Sequence, residues 1–287
     1  GRPFAAFNVG FSDPRFDESD LAKRIAGHFG ATFETIPCGM ADMAEELEKT
    51  LWHTEMALVN PSAIAKQMLS RLVRSRGYKV CITGEGADEI FGGYPYFKQE
   101  AIWRKLIAPG QREDGQRLWK RFIREERHTE GALWHRGRSW QNGDHWFGYP
   151  SFHQMRLEDS SRNVARVVTG EAIKAASFST PAEIFLSEHP CDRMRALDPF
   201  NATRLVALSQ LSNYVIPTLG DRLEMANSVE CRTPFLDRDL VDYVGLVPPA
   251  YLLDVDTLRE KWLLREAFSD RLPAFLSAQR KKPFLGE

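Results

Sequence analysis

The chain has 287 residues, 43% of them hydrophobic and 27% charged, and its 38 basic and 39 acidic side chains leave a net charge of −1. These values suit a globular chain large enough for one large or two small domains with a real core. Near-neutrality excludes a strong electrostatic pull on nucleic acid, and no apolar run approaches the roughly 18 to 20 residues that cross a bilayer, so neither is expected as a partner.

In chain order, Ala5-Ala6-Phe7-Asn8-Val9-Gly10-Phe11 reads as a short buried strand, closed by Ser12-Asp13-Pro14. Asp17 to Phe29 reads as a helix: acids fill its first turn, Leu21, Ile25 and Phe29 recur every four residues, and Gly30 ends it. A strand over Ala31 to Pro37 follows, then a helix over Ala41 to Trp52 with Met43, Leu47 and Leu51 on one stripe. Asn60-Pro61-Ser62 starts a helix running from Ala63 to Ser75, and Lys79 to Thr83 forms the next strand. Strands alternating with helices of this length predict a parallel α/β sheet. From about residue 98 to 200 the patterns are helical with polar breaks, and no strand is convincing. An apolar period near 3.6 returns from Arg204 to Ser228, another helix begins at Pro234-Phe235-Leu236-Asp237, and Thr257 to Phe268 reads as helical. The segment Gln279 to Phe284 reads as basic and extended.

The four cysteines, Cys38, Cys81, Cys191 and Cys231, lie far apart in sequence. That spacing disfavours a zinc site or a disulfide scaffold and fits a reducing cytoplasm. His28, His53, His135 and His153 show no ligand spacing either.

The stretch most suggestive of chemistry is Val80 to Tyr94, VCITGEGADEIFGGY. A strand meets a Gly-x-Gly turn and then a helix start, and ligands of open α/β sheets sit at the carboxyl ends of strands. Asp88 and Glu89 follow Glu85 by three and four residues, so all three carboxylates can share one side of a first helical turn. Two readings are open on pattern alone: first-turn acids that complement the helix dipole by about 0.3 to 1 kcal/mol, or carboxylates that link a magnesium ion to a polyphosphate. Lys281 or Lys282 could neutralise a phosphate leaving group, although such a pair near a terminus is more often a solvated one. Asp221, Arg222, Glu230 and Arg232 form a further polar group, read by pattern as a salt-bridge network.

GEGADEIFGGY, together with Gly220 to Asp237 (GDRLEMANSVECRTPFLD), resembles the synthetase domain of the glutamine-dependent asparagine synthetases. Phe7 to Phe11 with Phe16-Asp17-Glu18, and Glu260 to Ala267 (EKWLLREA), agree as well and keep the family order. The resemblance implies an ATP-pyrophosphatase α/β core with a largely helical C-terminal part: a nucleotide-binding core over 1–97, a helical insertion over 98–200, and a helical part carrying substrate and phosphate residues over 201–287. It implies adenylation of the aspartate side chain by ATP with Mg²⁺, departure of pyrophosphate, and attack by ammonia to give asparagine and AMP. Carried over by motif, Val9 lines the adenine site, Thr83 and Gly84 contact the nucleotide, and Glu85 holds substrate or takes the proton of attacking ammonia. Asp88 becomes a magnesium ligand, and Asp221 and Arg222 lie near the substrate. Lys281 becomes the phosphate-binding lysine, because it stands three residues before Phe284. The arginine expected two residues before that lysine is Gln279, which leaves the register with Lys282 open. A cytoplasmic location and a homodimer are compatible with the family.

Relatives that close β-lactam rings or cyclise peptides share the nucleotide motifs, so a different acceptor stays open, as does a fragment that only binds nucleotide or a partner. Nothing in the chain resembles the glutaminase half that would release ammonia. The family's phosphate loop, Ser-Gly-Gly-x-Asp-Ser, belongs some tens of residues before Phe7 and is not in the sequence. The expectation is therefore a chain that is catalytically incomplete by itself. Its absent first strand belongs between the strands holding Asn8-Val9 and Val80-Cys81.

Overall fold

The computed structural model describes residues 4–277, apart from Arg15, Val59, 126–144, Pro150, 155–157, 159–170 and 172–180. The described residues divide into two units. One takes those within 1–87, 208–241 and 268–287; the other takes those within 88–207 and 242–267.

The first unit is the α/β part. Strand β1 (Ala5–Phe11) runs parallel to β2 (Thr32–Cys38), from Ala5 opposite Thr32 to Phe11 opposite Cys38. Helix α1 (Ser19–His28) supplies the crossover that a parallel pair requires. It begins two residues later than the acids suggest, because Asp17 is used as a brace. The Asp17 carboxylate accepts the N–H of Phe11 at 3.3 Å at the end of β1, and both the N–H (3.3 Å) and the hydroxyl (2.6 Å) of Ser19. Helices α2 (Met40–Thr54) and α3 (Ser62–Ser75) follow. Asp42 accepts the Gly39 N–H at 2.9 Å at the head of α2, and Asn60 accepts the Ser62 N–H at 3.0 Å at the head of α3. These bonds satisfy amides that helix ends leave orphaned. Alternate residues Val9 and Phe11 face inward from β1 and pack with Cys38, Met43, Ile64 and Met68.

Strand β3 (Val80–Ile82) pairs in parallel with β4 (Glu230–Arg232), and among the described residues these two pairs of strands are separate sheets. The parallel α/β core is thus present as two short ladders. The apolar period over Arg204 to Ser228 resolves into an α-helix ending at Gln210, wide π-type turns over Leu211–Arg222, and one α-turn at Leu223–Ala226. Pro217 lies inside the widened part; its ring has no N–H to donate and crowds the carbonyl four residues back, which an ordinary α-turn cannot accommodate. The Pro234 segment opens as a 3₁₀ turn over Pro234–Leu236, and its α-helix runs from Arg238 to Leu246.

The second unit holds α4 (Ala87–Phe91, from Asp88 onward), α5 (Pro95–Ile107), α6 (Arg112–Glu125), α7 (Pro181–Glu188) and most of α8 (Pro199–Gln210). Ile102 of α5 and Leu118 and Phe122 of α6 are fully buried together with Leu258. The expected helix over Thr257 to Phe268 is corrected. Residues Leu253–Asp254 and Arg259–Glu260 pair as an antiparallel hairpin, and the helix occupies only Trp262–Ala267. Leu258 and Lys261 each have φ of 54°, a left-handed backbone through which no α-helix runs. Asp254 fixes the turn by accepting the N–H groups of Asp256 at 3.0 Å and Thr257 at 3.2 Å, and the Thr257 hydroxyl. Lys98 of α5 and Glu260 of the hairpin form a 2.7 Å ion pair with side chains only 1% and 2% exposed.

Glu100 is also buried in α5, its carboxylate accepting the N–H of Phe152 at 2.8 Å and the Ser151 hydroxyl at 3.2 Å. Burial outweighs these bonds and pushes its pKa up from 4.5 to about 7. The unfolded chain releases this proton more readily, so it binds fewer protons than the native state across that window. Stability should therefore fall as pH rises from 4.5 to about 7. Urea unfolding at a series of pH values should show this slope in the native sequence and a flatter one in Glu100→Gln.

Candidate active site

Strand β3 delivers Thr83 and Gly84 to its carboxyl end, where a tight turn carries Glu85 before α4 begins. The Thr83 N–H still bonds to the Arg232 carbonyl at 2.9 Å, so the ladder is held up to the mouth of the turn. Its hydroxyl is buried and has no hydrogen-bond partner among the described residues. A buried, unsatisfied hydroxyl costs about 1 to 3 kcal/mol, and a polar ligand at the strand end would satisfy it. Gly86 is required twice over: its φ of 91° suits glycine alone, and a Cβ there would meet Leu236 Cδ2 at 2.3 Å.

Beneath this turn lies a pair that the sequence does not announce. Lys66 Nζ stands 2.7 Å from Glu224 Oε1, with side chains 17% and 7% exposed. Burial works against the Lys66 charge, but Glu224, aided by Cys231 and Glu85, overcomes it and holds the ammonium above its ordinary pKa. The one available signal was position: Lys66 interrupts the buried run Ala63, Ile64, Ala65, Met68 on α3.

The structure distributes the expected site residues as follows. Val9 has its side chain in the core of the first unit. Arg222 grips the end of α2, donating to the Thr54 carbonyl at 2.8 Å and lying 3.5 Å from Glu55 Oε2; Asp221 beside it is exposed. Glu230 and Arg232 pair with each other at 2.9 Å, as the salt-bridge reading anticipates. Thr83, Gly84 and Glu85 belong to the first unit with these residues, and Asp88 begins the second. Lys281 and Lys282 lie outside the described residues.

In the second unit Asp88 is 2.6 Å from Lys261 Nζ. Lys261 stands in the EKWLLREA block of the sequence, and its strained φ of 54° belongs to the turn that presents it. Gly93 makes the pair sterically possible. Its N–H donates to the Asp88 carbonyl at 2.8 Å, and a Cβ would fall 1.9 Å from Asp88 Oδ1 and 2.3 Å from Lys261 Cε. We expect Gly93→Ala to cost about 1 to 3 kcal/mol through overpacking, read as a lower urea midpoint with unchanged slope. Glu89 is buried and accepts the Tyr94 hydroxyl at 2.8 Å. Burial, then the Glu89 and Asp88 carboxylates, drives the Tyr94 pKa strongly upward, so this phenol remains a donor.

Among the described residues no three His, Cys, Asp or Glu side chains are grouped to hold a metal. Asp88, whose carboxylate already holds Lys261 Nζ at 2.6 Å, offers one oxygen donor set, so phosphate oxygens and water would have to complete a magnesium shell, the usual arrangement for that ion with nucleotides. The donor chemistry therefore fits an ion shared with a phosphate.

A comparison with known families matches the asparagine synthase model over residues 1–286. The chain belongs to the asparagine synthase family. Among curated proteins it is 27% identical to the amidase chyE of Penicillium rubens, over 98% of this chain and 43% of that protein. It is 24% identical to the amidase chry2 of Gibberella zeae, over 94% of this chain and 41% of that protein. It is also 24% identical to the glutamine-hydrolyzing asparagine synthetase 1 of Bacillus subtilis, over 97% of this chain and 42% of that protein. The chain thus spans about two fifths of the length of the curated relatives it matches. Among the described residues no helix is long and apolar enough to cross a membrane.

Proposed function

We propose that this chain supplies the ATP-consuming part of an amide-forming ligase. In that reading a side-chain carboxylate, that of aspartate, attacks the α-phosphorus of ATP, pyrophosphate departs, and ammonia displaces AMP from the acyl-adenylate to give asparagine. The observation that carries it is the turn after β3, where a buried unpartnered Thr83 hydroxyl, an exposed Gly84 backbone and Glu85 lie at the carboxyl end of a parallel strand. Thr83 and Gly84 would bind the nucleotide with Val9, and Glu85 would orient the substrate or take a proton from ammonia. Asp221 and Arg222 would act near the substrate. Asp88 would hold Mg²⁺, which supplies charge neutralisation at the phosphates, and Lys281 would stabilise the departing pyrophosphate. Ammonia would come from a glutaminase domain or partner, in the cytoplasm, and the assembly would be a homodimer.

A second reading keeps the adenylation and changes the carboxylate or the amine. Two relatives bear the name amidase, and they cover this chain as fully as the synthetase does; a cyclase acting within one substrate belongs to the same class. The full-length protein, given ATP, Mg²⁺, ammonia and aspartate, should release AMP and pyrophosphate in an aspartate-dependent way. AMP formation on another carboxylate alone would favour the second reading. Failure to cleave ATP with any amino-acid or peptide carboxylate would sink both and leave a nucleotide- or partner-binding role.

A further inference from the structure

Cys81 and Cys231, remote in sequence, are direct partners in the parallel β3–β4 pair. Register partners on neighbouring strands project from the same face, and strands lie about 4.8 Å apart, inside the Cα range of about 4.4 to 6.8 Å that disulfides span. The Cys81 and Cys231 thiols act on each other's protonation, and the Glu224 carboxylate acts on both. Both cysteines are reduced and partly exposed, so a small oxidant can reach them. The ionisable groups that bear on the pair are Lys66 from α3, Glu224 from the turn Leu223–Ala226, and each thiol on the other.

We infer that Cys81 and Cys231 are a reversible dithiol–disulfide site, with Cys81 as the attacking sulfur and Cys231 as the resolving one, oxidised by a low-molecular-weight disulfide. The Cys81 thiolate attacks one sulfur of the small disulfide, forming a mixed disulfide and releasing one small thiolate. Cys231 gives up its proton, for which Glu224 is the adjacent acceptor, and its thiolate displaces the second small thiolate from Cys81. Two electrons pass from the protein to the oxidant, and the protons of the two protein thiols end on the two small thiols released. The polarity follows from the surroundings. The Cys231 thiol, against some desolvation and with help from Lys66, lowers the Cys81 pKa to about 7. The Cys81 thiol, burial and Glu224 push Cys231 upward. Cys38 is sealed in the core at 1% exposure, while Cys191 is partly exposed and serves as a control for simple accessibility. A cross-strand disulfide between such close neighbours is of the strained, readily reduced kind.

The full-length protein would be equilibrated with oxidised and reduced glutathione, quenched with an alkylating agent, digested and analysed by mass spectrometry. A peptide linking Cys81 to Cys231, lost on adding dithiothreitol, is the expected result. In Cys231→Ser the reaction should stop at glutathione on Cys81, and in Cys81→Ser the modification of Cys231 should slow at least tenfold. Where a variant fails to fold, the unaltered protein decides: iodoacetamide should label Cys81 at lower pH and faster than Cys231. Equal labelling of the two, a link to Cys38 or Cys191 instead, or no link under conditions that glutathionylate Cys191, would overturn the inference. None of these readouts depends on ATP turnover.

Discussion

Glu85→Gln should lower the rate of amide formation by about 100- to 10,000-fold, the range contributed by a positioned acid–base group, and leave the unfolding transition within about 0.5 kcal/mol of the native one. The carboxylate sits on a turn whose shape is set by others: the Thr83–Arg232 backbone bond, the left-handed Gly86 and the close approach of Leu236. Among the described residues Glu85 forms no salt bridge, and its effect on Lys66 is minor beside that of Glu224 at 2.7 Å, so the isosteric amide removes charge without removing a brace. ATP binding, measured by calorimetry with the full-length protein, should change far less than turnover. An equal loss in binding and in stability would show Glu85 to be structural, and full retention of turnover would remove it from the proposed chemistry.

The second large effect is on stability. Lys98→Met should destabilise the protein by about 3 kcal/mol, toward the lower end of the 3 to 5 kcal/mol seen when one member of a buried pair is removed. Glu260 would stay behind almost fully buried, but Arg265 still reaches it at 2.9 Å through Nη2 and contacts its carbonyl through Nε. Burial raises the Glu260 pKa and the paired Lys98 more than reverses this, so the net displacement is downward and Glu260 is charged in the native state. Chemical denaturation of the two proteins side by side is the measurement. A loss below about 0.5 kcal/mol would mean that Arg265 alone compensates Glu260.

The elements that sequence periodicity carries best are those whose stabilising contacts are local. Val9 and Phe11 alternate on β1, Asn60 heads α3, and Asp42 heads α2, so these elements stand within two residues of where the sequence places them. The hairpin at Leu253–Glu260 was hidden because the positive φ at Leu258 and Lys261 has no glycine to mark it. Pro217 did mark a break in the helical period, but a proline does not say that the chain will widen into π-type turns instead of stopping. The candidate site was legible where glycines and acids cluster in VCITGEGADEIFGGY. Lys66 with Glu224, Lys261 with Asp88, and Cys81 with Cys231 come together only through the fold, because the partners of each pair are between 150 and 173 residues apart in sequence and no local pattern links them. Cysteine spacing argued against a disulfide scaffold, and a single cross-strand dithiol pair is a feature that such spacing cannot register.

The central proposal, activation of a carboxylate as its adenylate, is tested most directly by following an oxygen atom. Aspartate labelled with heavy oxygen in its side-chain carboxylate would be turned over with ATP, Mg²⁺ and ammonia by the full-length protein, and the AMP examined by mass spectrometry. Attack on the α-phosphorus followed by amide formation leaves one labelled oxygen on AMP, which is the result expected here. Label in released phosphate, or AMP free of label while asparagine accumulates, would contradict the adenylate route.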